Sequence, residues 1–392
     1  MKLTRIIHPV GQGGFYSETF SNGEQEATFV YDCGGFNGGK NKMGKYLKSF
    51  LPEGGSKKKI EAVFISHFHA DHISGLEYLL KNAEVKYLFL PLLTEDILIE
   101  ALIYNHCMSE YTKSVNSFLI KLYNQIIGTA KTWLTNIIQV GYANNNAVVS
   151  TPVNVSFPQS NQNELNAWDW DQRVPVKLSD IKILPRTTML YFNEWLYIPC
   201  NSVVPQTNID ELKDAFGITG LSVEDICSSI AKRNVNECKN IYENVLGKEH
   251  NSYSMTLYSG TLEKIANNQC KRLSDCDNQH CVDTSNSTSY CCNPNILYTG
   301  DFEPLNNIDN LIAFFNNYWK GIATIQVSHH GSKNNYDKKL YVNPINGIVS
   351  VGNTNSYNHP DIETLLKIQN QGCHPVIITE DKSSMKIYHY SL

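Results

Sequence analysis

The sequence predicts a mixed α/β protein of the sandwich type, and three observations support this prediction. Strand-like and helix-like segments alternate near both ends of the chain, which is typical of layered α/β folds. The composition, with 42% hydrophobic and 18% charged residues among 392, is that of an ordinary globular protein. Between the two ends, residues 107 to 246 carry long helical patterns broken by Asn-rich and Pro-containing stretches. We therefore expect an α/β body that is interrupted by a mainly helical insertion.

The first part of the chain, residues 1 to 106, begins with strand patterns and ends with a helix. Strands are predicted near residues 3 to 10, 15 to 20, 26 to 32, 60 to 65 and 85 to 90, and helices near 43 to 51, 75 to 81 and 94 to 106. Thr94, followed by two acidic residues, marks the start of the last helix because it can cap the free N–H groups there. This part is the predicted first half of the α/β body.

The last part of the chain, residues 247 to 392, returns to alternating patterns and is the predicted second half. Strands are predicted near residues 252 to 258, 296 to 301, 323 to 327 and 347 to 351, with helices near 307 to 319 and 361 to 370. The expected organisation is therefore a first half at 1 to 106, an insertion at 107 to 246 and a second half at 247 to 392.

Composition and charge exclude several classes of protein. Aromatic residues make up 11% and the net charge is only -5, which argues against disorder. The longest apolar stretches are strand-sized and fall short of the ~20 residues that a membrane span needs. The first residues lead into polar and Gly-rich sequence instead of a signal peptide. With 11 cysteines and no export signal, the expectation is a cytoplasmic protein with free thiols and no membrane contact.

The strongest chemical signal is the motif His67-x-His69-x-Asp71-His72, which directly follows a predicted buried strand. Imidazole nitrogens and carboxylate oxygens are suitable ligands for zinc, manganese or iron. His67 and His69 point the same way if strand geometry persists, because side chains alternate with a period of two. Asp71 and His72 then turn towards a second position. The spacing therefore indicates two metal ions.

The motif resembles the signature of the metallo-β-lactamase fold hydrolases. This resemblance implies an αββα sandwich with a binuclear metal site between its sheets. Further residues match the family's positions in the right order: Asp32 matches a supporting acid, Asp301 in Thr299-Gly300-Asp301 matches the carboxylate that bridges the metals, and His330 or His329 matches the last ligand. The resemblance thus implies two divalent ions, zinc or manganese, and a metal-bridging hydroxide that attacks the substrate.

A narrower resemblance is to the soluble hydrolase domain of the ComEC-type DNA-uptake competence proteins. It is carried by Val10-Gly11-Gln12-Gly13, Thr299-Gly300-Asp301-Phe302-Glu303, His329-His330-Gly331-Ser332 and Asn358-His359-Pro360. It covers roughly residues 1 to 106 and 247 to 392. The Asp that often follows Gly-Gln-Gly in this branch is Gly14 here. The resemblance implies a phosphodiesterase or nuclease whose substrate is a nucleic acid or a nucleotide.

One expected ligand has no clear counterpart. Many family members place a histidine in a His-Thr-Pro-Gly-His loop before the bridging Asp, and this sequence has no such loop. His250 occupies the corresponding place, where the competence branch carries an Asn or Asp. Either His250 is a ligand, or water completes the first metal.

Other residues have predicted catalytic roles near the metals. Asp71 and His329 belong to the catalytic set, and His359 could donate a proton or bind a phosphate oxygen, unless it is simply a turn histidine. Lys333 could meet a phosphate as a point charge or remain solvated.

Two further clusters lie outside the metal motif. Residues 40 to 59 hold seven lysines and one acid, so Lys57, Lys58 and Lys59 belong either to a phosphate-binding patch or to a solvated face. A Cys-rich segment could hold a structural zinc ion through Cys270, Cys276, Cys281 and Cys291, or could carry surface thiols or disulfides.

Two alternative functions remain open. One is hydrolysis of a small ester, lactone or thioester, against which the missing His-Thr-Pro-Gly-His loop counts. The other is a non-catalytic partner module, in which the insertion at 107 to 246 is a docking surface for another protein and the metal site is structural.

Overall fold

The computed structural model describes most of both halves and part of the middle of the chain. The described residues are 1–23, 25–37, 40–41, 43–52, 56–108, 112–129, 136–141, 151, 163–201, 209–218, 223–246, 254–261, 281–283, 293–305, 307–354 and 358–392. Within them, no helix is long and apolar enough to cross a membrane.

Strands outnumber α-helices in the described residues. The strands are β1 (Lys2–Ile7), β2 (Phe15–Ser21), β3 (Glu26–Cys33), β4 (Phe36–Asn37), β5 (Lys40–Asn41), β6 (Lys58–Phe64), β7 (Ala83–Pro91), β8 (Ile137–Val140), β9 (Asn166–Asp169), β10 (Val174–Val176), β11 (Ile183–Leu184), β12 (Thr188–Phe192), β13 (Trp195–Asn201), β14 (Met255–Thr261), β15 (Cys281–Asp283), β16 (Ile296–Tyr298), β17 (Thr324–Gln326), β18 (Asn346–Ser350), β19 (His374–Ile378) and β20 (Lys386–Ser391).

The α-helices of the described residues lie between the strands along the chain. They are α1 (Met43–Phe50), α2 (Ala70–Ile73), α3 (Leu76–Asn82), α4 (Glu95–Met108), α5 (Lys113–Ile126), α6 (Ile209–Phe216), α7 (Val223–Ala231), α8 (Val235–Leu246), α9 (Ile308–Phe315) and α10 (Ile362–Asn370).

Two large sheets form the centre of the fold. In the described residues each has nine strands: the first in the order β11-β8-β7-β6-β3-β2-β1-β20-β15, the second in the order β10-β9-β12-β13-β14-β16-β17-β18-β19. Parallel pairing joins β3, β6, β7 and β8 in the first sheet, and β16, β17, β18 and β19 in the second. Because the carboxyl ends of parallel strands meet at one edge, loops that follow them are the usual ligand-binding parts of such sheets.

Three apolar clusters show how the layers stack. One cluster lies between the sheets and joins residues such as Phe29, Phe64 and Tyr197. A second contains residues of α1 to α8 together with alternate residues of the first sheet, such as Val63. The third contains α9 and α10 with the outer face of the second sheet. The order of layers is therefore helices, sheet, sheet, helices, and the predicted fold class is confirmed.

The prediction that residues 107 to 246 form a mainly helical insertion is wrong, because strands of both large sheets also lie in this range. Residues 107 to 246 contain helices α5 to α8, but they also contribute β8 and β11 to the first sheet and β9, β10, β12 and β13 to the second. The sequence pattern concealed β12 and β13 because every residue of both strands is buried, and such strands lack an alternating pattern. The described residues 137–140 and 166–201 thus supply strands to both sheets of the sandwich.

A buried ion pair joins the two sheets. Glu18 on β2 accepts a hydrogen bond from Arg5 Nε at 2.8 Å, and both side chains are at most 3% exposed. The other sheet supplies three hydroxyl donors to the same carboxylate, from Tyr197, Tyr298 and Ser259, at 2.7 to 2.9 Å. Full pairing offsets the desolvation cost of burying this charge.

The Glu18→Ala variant should lose ~3 to 5 kcal/mol of unfolding free energy, because it leaves the Arg5 guanidinium buried without a counter-charge. Urea denaturation followed by tryptophan fluorescence would measure this loss. The matched control is the Arg5→Met/Glu18→Leu double variant, which removes both charges and should lose much less. A Glu18→Ala loss no larger than that of the double variant would contradict a stabilising role for the pair.

Candidate metal centre

The His/Asp motif lies in a loop that links β6 to α2 at the carboxyl edge of the first sheet. His67 and His69 precede α2, and Asp71 and His72 lie within it; all four side chains are buried. The loop packs closely against the segment that follows β3. A Cβ atom added at Gly34 would come within 2.4 Å of the Asp71 carbonyl oxygen, so only glycine fits there.

The second sheet supplies the remaining candidate ligands. Asp301 follows β16 in the turn Thr299-Gly300-Asp301, where Gly300 has φ +55°. A Cβ atom at Gly300 would lie 2.6 Å from Ser66 Cβ on the opposite sheet, so this glycine permits the two edges to approach. Asp301 is held in place by a hydrogen bond from its backbone N–H to Ser254 Oγ at 2.9 Å.

Two overlapping groups of candidate ligand atoms result. In the described residues, Asp71, His72, Asp301 and His330 form one group, and His67, His69 and Asp301 form the other; within each group the ligand atoms lie within 4.8 Å of one another. Asp301 is common to both groups. Its Oδ2 lies 3.6 Å from His67 Nε2, and its Oδ1 lies 3.1 Å from His72 Nε2 and 3.6 Å from His330 Nε2.

Asp32 determines which ring nitrogens of His67 and His72 face the candidate metal positions. Asp32 Oδ2 accepts hydrogen bonds from His72 Nδ1 at 2.7 Å and from Ser66 Oγ at 2.8 Å. Because the Ser66 proton is directed at Asp32, Ser66 Oγ accepts from His67 Nδ1 at 2.9 Å. In its neutral form each of these imidazoles therefore carries its proton on Nδ1 and presents the lone pair of Nε2.

His330 and His69 are fixed in the same manner by other partners. His330 Nδ1 donates to the Ser350 carbonyl oxygen at 2.8 Å, which leaves the Nε2 lone pair free to bind a cation. In His69 the two ring nitrogens exchange roles. Its Nε2 lies 3.4 Å from Glu100 Oε1, and its Nδ1 is on the side of the candidate ligand group. Sequence analysis did not identify Glu100, although an acid that lies beyond the first turn of α4, among apolar residues, is a signal for a buried role.

The donor set fits divalent cations. Within the part of the chain that the structure describes, five buried ligand-type atoms in these groups make no hydrogen bond: His67 Nε2, His69 Nδ1, Asp71 Oδ1, His72 Nε2 and His330 Nε2. Unpaired polar atoms in a protein interior are costly, and imidazole and carboxylate donors together suit zinc, manganese or iron.

The electrostatics of the cluster also favour positive charge. Burial lowers the pKa of His72, but the carboxylates of Asp301 and Asp32 outweigh burial and hold that pKa well above its usual value. Burial would raise the pKa of Asp301, but the surrounding imidazoles, His72 foremost, hold it well below its usual value. Burial lowers the pKa of His67, whose imidazole therefore remains neutral. Cation binding would replace the proton that the carboxylates otherwise attract.

An unusual turn places His329 and His330 at the site. Both residues have positive φ, 47° and 54°, and Gly331 follows with φ 83°. Such backbone conformations cost energy for non-glycine residues and are typical of functional sites. The turn directs His330 at Asp71, with Nε2 3.3 Å from Oδ2, and leaves His329 Nε2 3.8 Å from Asp301 Oδ2. His330 is thus the histidine of the pair that joins a candidate ligand group.

Of the other predicted catalytic residues, His359 lies near the site and Lys333 lies at its exposed border. The His359 side chain is buried, and its ring centroid is 5.3 Å from that of His329. Lys333 is 65% exposed and its Nζ lies 3.9 Å from Glu363 Oε2. His329 Nδ1 lies 3.1 Å from Asn335 Oδ1, a partner that sequence analysis missed.

The position of Lys57, Lys58 and Lys59 in the sequence suggested that they lie near the candidate metal groups. The backbone of these three lysines lies at the opposite end of β6 from the motif. Lys57, Lys58 and Lys59 stand at the start of β6, whereas the motif follows its end. Because an extended strand rises ~3.3 Å per residue, the backbone at Lys59 is about 20 Å from that at Ile65. Lys58 instead stacks over the Phe50 ring at 4.5 Å.

Other residues with predicted roles fall outside the described residues. These are His250, Cys270, Cys276 and Cys291, together with the side chain of Cys281, so the sequence predictions about them stand as predictions.

Comparisons with known proteins agree with the motif. A family model described as the Metallo-beta-lactamase superfamily matches residues 23–88, which contain Asp32 and the motif loop. Among solved structures, the metallo-beta-lactamase fold protein YhfI from Bacillus subtilis matches with 8% identity, 97% coverage of each chain and a TM-score of 0.38. That likeness is too low to support a statement about activity. No curated protein matches the sequence. The superfamily resemblance is thereby confirmed, whereas the ComEC-type resemblance stays a prediction.

Single substitutions should separate the two candidate ligand groups. Asp301→Ala should lose both metal ions because its carboxylate belongs to both groups, whereas His69→Ala and His330→Ala should each lose one. Elemental analysis after dialysis against zinc or manganese would count the bound ions. The exposed His374→Ala variant is the matched control and should keep the wild-type count. Retention of both ions by Asp301→Ala would contradict the shared role.

Proposed function

We propose that the protein is a metal-dependent hydrolase of phosphodiesters, with a nucleic acid or a nucleotide as substrate. The observation that carries the proposal is the sharing of Asp301 by two groups of buried ligand atoms. A pair of divalent cations, when bound there, supplies an activated water and positive charge for the departing oxygen. The ComEC-type motifs, and the absence of a His-Thr-Pro-Gly-His loop, favour phosphorus over carbonyl carbon as the point of attack.

In this proposal the protein's own residues orient the site and move a proton. Asp32 fixes the imidazoles of His72 and, through Ser66, of His67. His359 donates a proton from its ring to the leaving oxygen, a role supported by its burial beside His329. Asn335 holds the Nδ1 side of the His329 ring, so Nε2 of that ring remains directed towards Asp301.

Variants of the site should lose activity to different degrees. Asp71→Ala and Asp301→Ala should abolish hydrolysis of bis-p-nitrophenyl phosphate with manganese or zinc, because each removes a candidate metal ligand. His359→Ala should slow turnover about 100-fold, the size expected for loss of a general acid. His374→Ala, an exposed histidine, should keep the wild-type rate.

The choice of substrate tests the proposal directly. Plasmid DNA, single-stranded DNA, RNA and cyclic dinucleotides should be compared with a p-nitrophenyl ester and a lactone. Hydrolysis of the carbonyl substrates alone would replace the proposal with the ester hydrolase alternative. Binding of two metals with no turnover of any of these substrates would favour the non-catalytic module.

The lysine run gives a separate prediction about long substrates. Changing Lys57, Lys58 and Lys59 to Ala should weaken nucleic-acid binding and reduce its salt dependence, because each lost phosphate contact lowers the number of released counterions. Turnover of bis-p-nitrophenyl phosphate should not change. A control that removes the same charge from Lys81, Lys121 and Lys177, which are exposed and paired with acids, should keep the wild-type salt dependence. Equal effects in both triple variants would contradict a specific patch.

A further inference from the structure

One face of helix α4 contacts His69 in two ways. The Tyr104 ring stacks on the His69 imidazole with a centroid distance of 3.6 Å and an interplanar angle of 13°. One turn earlier on the same face, Glu100 Oε1 lies 3.4 Å from His69 Nε2. The ring plane is thus set by Tyr104, and rotation within that plane is opposed by Glu100.

The backbone around His69 is held by the neighbouring residue on α4. Asn105, which is fully buried, accepts a hydrogen bond from the Ala70 N–H at 2.7 Å and donates one to the Phe68 carbonyl oxygen at 3.2 Å. The peptide groups on both sides of His69 are therefore tied to the helix. Thr112 in turn donates to the Asn105 carbonyl oxygen at 2.8 Å.

Helix α8 completes this arrangement through Tyr242. Its hydroxyl donates a hydrogen bond of 2.5 Å to Glu100 Oε1, and its ring packs edge-on against Tyr104 at 5.5 Å. Glu100 is only 1% exposed and lies on a helix whose surrounding residues are apolar. A carboxylate at such a position is costly unless its hydrogen bonds are made, so its presence requires a role.

These contacts decide which nitrogen of His69 can bind a metal ion. A carboxylate can only accept, so the shared proton lies on Nε2 of His69, and the lone pair of the neutral ring lies on Nδ1. Nδ1 is buried, makes no hydrogen bond and belongs to the group with His67 and Asp301. A carboxylate on the far nitrogen of a metal-binding histidine fixes its orientation and increases its basicity.

We propose that Glu100, Tyr104 and Asn105 of α4, together with Tyr242 of α8, hold His69 in the orientation that directs Nδ1 at the first metal position. They are positioning residues: Glu100 and Tyr104 contact the His69 ring, Asn105 binds the backbone on both sides of it, and Tyr242 holds Glu100 and Tyr104. None of the four belongs to a candidate ligand group. All four lie outside residues 23–88, the segment that matches the superfamily model. Helices α4 and α8 thus complete a site whose motif lies in that segment. The inference rests on the proposed metal-dependent function.

The test is a metal titration of the apo full-length protein with zinc or manganese against a competing chelator. Tyr242→Phe and Glu100→Gln should weaken one of two binding steps ~10- to 100-fold and leave the other unchanged. Glu100→Gln keeps the shape and an acceptor oxygen, whereas Glu100→Ala removes both and should give the larger loss. The double variant Glu100→Gln/Tyr242→Phe should lose less than the two single losses combined, because both act through His69.

Control variants separate positioning from general damage to the fold. Tyr258→Phe makes the same chemical change at a buried tyrosine in the outer cluster of the second sheet and should leave both binding steps unchanged. Equal weakening of both steps in Tyr242→Phe, or no weakening in either variant, would overturn the inference. Because the readout is metal affinity, a wild-type protein that binds metals but cleaves no phosphodiester would refute the proposed substrate class and leave this test intact.

Discussion

The arrangement of the site depends on the carboxylate of Asp32 at the end of β3. This one group receives hydrogen bonds from the Ser66 backbone N–H, the Ser66 hydroxyl and His72 Nδ1, at 2.7 to 2.8 Å. Burial raises its pKa, and the neighbouring His72 and Ser66 oppose that rise. Because the carboxylate lies directly beneath the motif loop, it fixes both the course of the backbone after β6 and the tautomers of two imidazoles. The geometry of the candidate ligands follows from that constraint.

Local patterns made part of the molecule predictable. The motif from His67 to His72 follows a buried strand, so its placement at the end of β6 could be derived from spacing and apolar content alone. Asp301, and His330 or His329, were identified through the resemblance to a known superfamily, whose bridging carboxylate and last ligand they match. The resemblance to a known superfamily supplied what spacing could not, namely that these distant segments meet at one place between two sheets.

The strands of the middle segment and the contact between Glu100 and Tyr242 depend on long-range packing, so they could not be predicted from the sequence. Strands β8 and β13 pair with β7 and β14, which lie about 50 residues or more away along the chain, and a fully buried strand such as β13 has no alternation to identify it. Glu100 and Tyr242 are 142 positions apart, so only the packing of α4 on α8 brings them together. Lys57, Lys58 and Lys59 show the opposite case: they lie close to the motif in sequence, but strand β6 separates them from it along the backbone.

The division of the candidate ligands between two sheets has a consequence for how the protein folds. The motif loop belongs to the first sheet, whereas Asp301 and His330 follow strands of the second. Among the described residues neither sheet alone contains a complete ligand group. A nascent chain would therefore gain its full affinity for a cation only after the segments that follow β16 and β17 have been synthesised and the sheets have joined. Formation of such non-local contacts is slow, because a long loop must close first. Binding of a cation would thus indicate that the sandwich is complete. A chain that stalls before that point has the motif histidines of the first sheet without Asp301 and His330 of the second.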